Sequence, residues 1–173
     1  FSSSGDRVRP GTNRRSKEIS MVTENALLPV MDLKDFPNSV IDVYIELPQT
    51  DAGSRCAGIC AASLALADAG FVMKDLVAAV AVGRVDDKIV VDLDYQEEAL
   101  ECENGVADIP VAVMPQSGKI TLLQMDGVVD PALLKEALQT AQKVSKQIYE
   151  VQKEALKAKY KEWLRWLITY INY

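Results

Sequence analysis

Apolar and polar positions along this chain change period from block to block, and each block predicts an element. From Ser16 to Leu28 the apolar residues Ile19, Val22, Ala26 and Leu27 recur three and four apart, which predicts a helix with one buried face, ended by Pro29. From Val40 to Leu47, Val, Ile and Tyr alternate with Asp42 and Glu46, which predicts a strand closed by Pro48. Cys56 to Asp68 is a run of small and apolar residues. It reads as a helix packed closely on a sheet or another helix, with Gly70 as its terminating glycine. Met73-Lys74-Asp75 reads as a short turn of helix. Leu76 to Val85 and Lys88 to Leu93 predict a hairpin through Asp86-Asp87, and Val106 to Met114 and Ile120 to Met125 a second one around Pro115 to Gly118. Asp130 and Pro131 start a long helix reaching about Tyr160, with Leu134, Leu138, Ala141, Val144, Ile148, Val151 and Ala155 near helical spacing. Helices interleaved with mostly antiparallel strands make an α+β order.

Composition narrows the chemistry. The 173 residues suit one domain with a real core, and the net charge of −6 argues against a uniformly basic nucleic-acid binder while leaving room for a local basic channel. There is no histidine, which excludes Ser–His–Asp triads, Cys–His dyads and histidine-ligated metals. Chemistry must use carboxylates, arginine, lysine, hydroxyls or a carboxylate-bound cation. Cys56, Cys60 and Cys102 show neither disulfide-framework nor zinc spacing, which fits a reducing, cytoplasmic setting. No apolar run reaches the roughly 20 residues of a membrane span, and no secretory signal pattern is visible, so no membrane partner is expected. The first fifteen residues set Arg7, Arg9, Arg14 and Arg15 against a single acid, Asp6, and read as a basic loop leading into the first helix. The tail from Trp163 to Tyr173 holds both tryptophans. It reads either as an amphipathic extension that docks on a partner or membrane surface, or as a continuation of the last helix on its own core.

The candidate chemistry centres on Gln49-Thr50-Asp51-Ala52-Gly53-Ser54-Arg55, between the predicted strand and the small-residue helix. Strand, turn with glycine and serine, then helix is an anion-binding arrangement, because unpaired N–H groups and the helix dipole face the turn. Gly53 admits close approach, Ser54 can cap or donate, and Arg55 offers a planar fork suited to phosphate. The bland alternative is a serine-capped helix with a surface arginine.

Four segments together resemble the RNase PH family, most closely the catalytic RNase PH-type subunit of the archaeal exosome. They are Pro10-Gly-Thr-Asn-Arg14-Arg15-Ser-Lys-Glu18-Ile19-Ser20; Val40 through Asp51-Ala-Gly-Ser-Arg55 to Gly70; Gly105-Val-Ala-Asp108-Ile-Pro-Val-Ala-Val-Met-Pro115; and Ile120-Thr-Leu-Leu-Gln-Met-Asp-Gly127, with the later run Val151 to Tyr160. The resemblance covers about residues 1–160, leaving 161–173 as an aromatic C-terminal extension. It implies an α+β RNase PH-type domain of the ribosomal protein S5 domain 2-like class, a mixed sheet packed with helices. It implies 3′-to-5′ degradation of RNA by phosphorolysis, with inorganic phosphate as co-substrate and nucleoside diphosphates as products. The implied roles are Arg14 and Arg15 at the scissile phosphate and RNA end, Gly53, Ser54 and Arg55 on phosphate, and Asp108 as the catalytic aspartate. The implied partners are the 3′ end of a single-stranded RNA, a non-catalytic paralogue completing a hexameric ring, and RNA-binding cap subunits. The alternatives are a bacterial-type homohexameric RNase PH that trims tRNA 3′ ends and a non-catalytic ring scaffold.

Two positions depart from the family pattern. The family usually has an acid six positions before the catalytic aspartate, where this chain has Cys102 flanked by Glu101 and Glu103, so either neighbour would hold Mg²⁺ with Asp108 through a small loop shift, or the cation would bind more weakly. The family also favours an acid where Val106 stands. The abrupt start at Phe1 is expected to reflect the C-terminal two-thirds of a longer protein.

Overall fold

The computed structural model describes residues 1–3 and 13–171, and the basic loop with Arg7 and Arg9 lies outside the described residues. The chain runs β1 (Ser2–Ser3), α1 (Arg14–Leu27), β2 (Glu46–Leu47), α2 (Ser54–Asp68), β3 (Ala78–Val85), β4 (Lys88–Val91), α3 (Tyr95–Glu98), β5 (Val106–Met114), β6 (Lys119–Leu123) and α4 (Pro131–Ile171). Short 3-10 turns occupy Leu28–Val30 and Leu33–Asp35.

Strands β4, β3, β5 and β6 form, in that order, a sheet whose neighbours are all antiparallel. Side chains alternate across it, and on the central strands β3 and β5 both faces are buried. Val80, Val82, Ile109, Val111 and Val113 pack against Ala137 and Ala141 of α4. Ala79, Ala81 and Ala112 face Ile59, Ala62 and Leu66 of α2 and Ala26 and Leu27 of α1. Alanines on the sheet and small residues on the helix let α2 lie close to β3. At that contact Ser63 Oγ accepts the Val77 N–H at 2.8 Å, and Cys60 Sγ lies 3.1 Å from the Ala79 nitrogen. Asp130 caps α4, accepting the Ala132 N–H at 2.8 Å.

Three expectations are corrected. Only Glu46–Leu47 of the predicted Val40 to Leu47 strand is paired, in parallel with Ser2–Ser3. Upstream, Val40 and Tyr44 are each 85 % exposed, so alternation is present but no ladder partner is found among the described residues. Met73 to Asp75 is not helical: Met73 bridges Met31, and buried Asp75 accepts from the Gln116 backbone and side chain at 2.9 and 3.2 Å. On α4, Val151 is exposed and Gln152 takes the inward place, donating to the Cys60 and Val77 carbonyls at 3.1 and 3.3 Å. The 3.6-residue period carried from Ala141 and Ile148 reaches 152 rather than 151.

Helix α4 also continues past Tyr160 to Ile171, so most of the predicted aromatic extension lies on its last turns; the packing of that tail lies outside the described residues. The short α3, held by an Asp94–Glu97 capping box, was not predicted. Among the described residues no helix is long and apolar enough to cross a membrane.

Candidate phosphate and RNA-end site

Helix α2 starts on Gly53, whose φ of 64° is left-handed. That turn puts the Gly53 carbonyl where it accepts the Cys56 and Ala57 N–H groups at 3.0 and 3.3 Å. Among the described residues no side chain caps this end, and Ser54 is the buried first helical residue rather than the cap it could have been. A Cβ at Gly53 would meet Asp92 Oδ1 only at ordinary contact distance, 3.4 Å, so it is the left-handed φ that calls for glycine here. The first N–H groups of a helix have no intrahelical acceptor and carry the positive end of its dipole.

This helix end opens into a cleft of about 740 Å³ whose lining includes Arg15, Gly53, Ser54, Arg55, Asp108 and Asp126. The side chain of Arg55 is only 19 % exposed. Its Nη1 donates to Glu18 Oε1 at 3.3 Å and to Gln124 Oε1. Asp108 lies on β5 opposite Gly83, on the same face as Val106 and Pro110, which also line the cleft. An isolated antiparallel bridge joins it to Asp126, with the N–H of each on the carbonyl of the other at 2.9 Å. Burial pushes the Asp108 carboxyl above its ordinary range; Arg55 pulls it back, Asp126 pushes it further up, and Arg15 lowers it weakly. One of its oxygens, Oδ1, is buried without a hydrogen-bond partner among the described residues. Burial also pushes the nearby Cys56 thiol well up, which makes it a core residue and not a nucleophile.

Arg14 and Arg15 open α1, which is capped by reciprocal Asn13–Ser16 bonds of 2.8 Å and has no acid in its first turn. Both are exposed. Arg15 lines the cleft, whereas Arg14 is not among its lining residues.

Thus Arg15, Gly53, Ser54, Arg55 and Asp108 come together, while Glu101 and Glu103 are exposed and outside the lining. Their loop is tied elsewhere: Cys102 Sγ donates to the Gly105 carbonyl at 3.2 Å within it, and Asn104 Nδ2 donates to Asp86 and Asp87 of the β3–β4 turn at 3.0 and 2.9 Å. Among the described residues no group of three or more His, Cys, Asp or Glu is placed to hold a metal. The carboxylate beside Asp108 is instead Asp126, which sequence reasoning passed over as a functional residue. Gln124, Met125 and Asp126, the segment that follows β6, together form one wall of the cleft.

Residues 1–71 match the description "3′ exoribonuclease family, domain 1", and residues 75–144 match "3′ exoribonuclease family, domain 2". The chain belongs to the 3′ exoribonuclease, or RNase PH, family. It is 54 % identical to the exosome complex component Rrp41 of Thermococcus kodakarensis over 155 residues, covering 90 % of this chain and 61 % of that protein. The Rrp41 of Methanopyrus kandleri is 51 % identical, with 90 % and 63 % covered, and that of Nitrosopumilus maritimus 46 % identical, with 90 % and 62 % covered. The chain therefore spans about three-fifths of the length of these relatives. The crystal structure of rice Rrp46 superposes with a TM-score of 0.78 at 18 % identity, covering 90 % of this chain and 72 % of that one, which establishes the shared α+β fold.

Proposed function

We propose that this chain carries the phosphorolytic site of an exosome-type 3′-to-5′ exoribonuclease. The observation that carries the reading is the convergence of the α2 N-terminus, Arg55, Arg15 and Asp108 on one cleft. Attack of phosphate on a phosphodiester brings two anions together. Helix N–H groups and the two guanidiniums offset that repulsion, most strongly where water is excluded. An oxygen of inorganic phosphate attacks the terminal phosphorus as the bond to the RNA 3′-oxygen breaks. A nucleoside diphosphate leaves, and the shortened RNA keeps a 3′-hydroxyl. Asp108, whose carboxyl is held above its usual range by burial, gives the leaving oxygen its proton.

The alternative to proton donation is an ionised Asp108 that would hold Mg²⁺ together with Asp126, since that ion is commonly held by one or two carboxylates with water and phosphate oxygens completing its shell. Bound there, it would neutralise charge on the phosphoryl oxygens. Arg14, exposed beside the cleft, grips the RNA backbone. Identity near 50 % to proteins named Rrp41 supports assembly in a cytoplasmic hexameric ring with a non-catalytic paralogue and RNA-binding caps, with a single-stranded 3′ end threaded to this site.

The test is product analysis on the full-length protein, alone and with its paralogue, with and without phosphate. Nucleoside diphosphates formed only with phosphate are expected. Arg55→Ala should raise the phosphate requirement about tenfold or more, in line with loss of a charge-assisted contact. Nucleoside monophosphates, or turnover indifferent to phosphate, would refute the reading, and full activity without the paralogue would favour a homohexamer.

A further inference from the structure

The guanidinium of Arg55 sits in a closed ring of hydrogen bonds with two side chains that neither the family match nor the sequence reading gives a role. Arg55 Nη1 donates to Glu18 Oε1 at 3.3 Å and to Gln124 Oε1, and Gln124 Nε2 donates back to the same Glu18 oxygen at 3.1 Å. Each member comes from a different element: Arg55 from α2, Glu18 from α1, and Gln124 from the segment after β6. Arg55 and Gln124 line the cleft, whereas Glu18 does not. The carboxylate therefore holds the fork from behind. A guanidinium carries five N–H donors. Tying up one end on Glu18 and Gln124 leaves the remaining donors for an anion, and a fork already fixed loses less freedom when the anion arrives. The ring is also polarised. Glu18 carries the only negative charge in it, so it keeps Arg55 in place and at the same time opposes the binding of phosphate.

We propose that Glu18 and Gln124 are positioning residues that hold Arg55 toward the cleft and set its affinity for inorganic phosphate; this rests on the phosphorolytic reading above. Gln124→Ala breaks the ring at its neutral member, and Glu18→Ala removes the anchor from behind. Glu18→Gln keeps an acceptor for Arg55 while removing the opposing charge.

The experiment measures phosphorolysis of a single-stranded RNA against inorganic phosphate, using full-length protein assembled with its paralogue, with melting curves in parallel. Both alanine variants should raise the phosphate KM about five- to tenfold, the size of an ordinary hydrogen bond's net contribution because the contact acts through Arg55, with kcat at saturating phosphate within about twofold. Glu18→Gln should restore the KM to the wild-type value or below. A residue that served only folding would lower the melting temperature and leave the phosphate KM alone. Alanine variants with unchanged KM, or a Glu18→Gln variant as impaired as Glu18→Ala, would overturn the proposal. If the wild-type protein itself ignores phosphate, the phosphorolytic reading falls first. The clamp is then judged by titration calorimetry with sulfate, where weaker binding by the alanine variants upholds it and equal affinities overturn it.

Discussion

Gly127→Ala should damage the fold and the cleft together, and Gly118→Ala provides the internal control. Gly127 follows Asp126 and has a φ of +111°. A Cβ there would meet the Val106 carbonyl oxygen at 2.7 Å, Ala107 Cβ at 2.8 Å and Ala107 Cα at 2.9 Å. None of these atoms is the free end of a flexible side chain, so the β5 backbone or the Asp126 segment must move. Overpacking of this kind costs about 1–3 kcal/mol. The backbone strain of an L residue at such a φ adds about 1–3 kcal/mol. Gly118 has a comparable left-handed φ of +71°, but a Cβ there meets nothing within 4 Å, so only the backbone cost of about 1–2 kcal/mol applies.

The expected loss at Gly127 is therefore about 2–6 kcal/mol, a large part of the roughly 5–15 kcal/mol that holds a domain folded. For a chain of this size each kcal/mol lowers Tm by about 2–4 °C. Denaturant unfolding of the two variants measures the difference directly. The same displacement would shift Asp126 from its place opposite Asp108, so sulfate or phosphate binding should weaken in Gly127→Ala and not in Gly118→Ala. Equal unfolding midpoints for the two variants would refute the close-approach reasoning, whatever happened to activity.

Two further outcomes follow from buried charge. Because burial raises the folded-state pKa of Asp108 above its unfolded value, the stabilisation that group offers is complete below the unfolded pKa and is lost as pH rises through the folded one. Asp108→Asn should therefore gain stability relative to wild type as pH rises from about 4 to 8, while abolishing turnover; a pH-independent difference in melting temperature would show that the carboxyl is not held up. Arg84 is buried on β3, with Nη1 on the Asp86 carbonyl at 3.0 Å and Nη2 on the Asn104 and Val128 carbonyls. Arg84→Met should cost about 3 kcal/mol or more by leaving those carbonyls without their donor, and a change below about 0.5 kcal/mol in denaturant unfolding would contradict it.

What the sequence disclosed and what it withheld divide along a physical line. The turn at Gly53 to Arg55 was legible because its ingredients are local: a helix start, a glycine able to take a left-handed φ, and a fork-bearing residue one step inside. The hairpins at Asp86-Asp87 and Pro115 to Gly118 were legible for the same reason. The Arg55–Glu18–Gln124 ring was not legible, because its members lie 37, 69 and 106 positions apart and meet only when α1 and α2 pack on the sheet. The pairing of Asp108 with Asp126 depends on something subtler. Near the hairpin, Met114 pairs with Lys119 and Val113 with Ile120, a register that if continued would set Met125 opposite Asp108. A shift between Ala112 and Val113 moves Ala112 onto Leu122 and Val111 onto Leu123, and the same register carried on sets Asp126 opposite Asp108. A slip of one residue exchanges the two faces of a strand. Bulges also serve to re-aim side chains beside functional sites, and no pattern in Ile120-Thr-Leu-Leu announces one. The second carboxylate of the cleft is thus placed by a single extra residue in β6, which explains why alternation read from the hairpin outward could not find it.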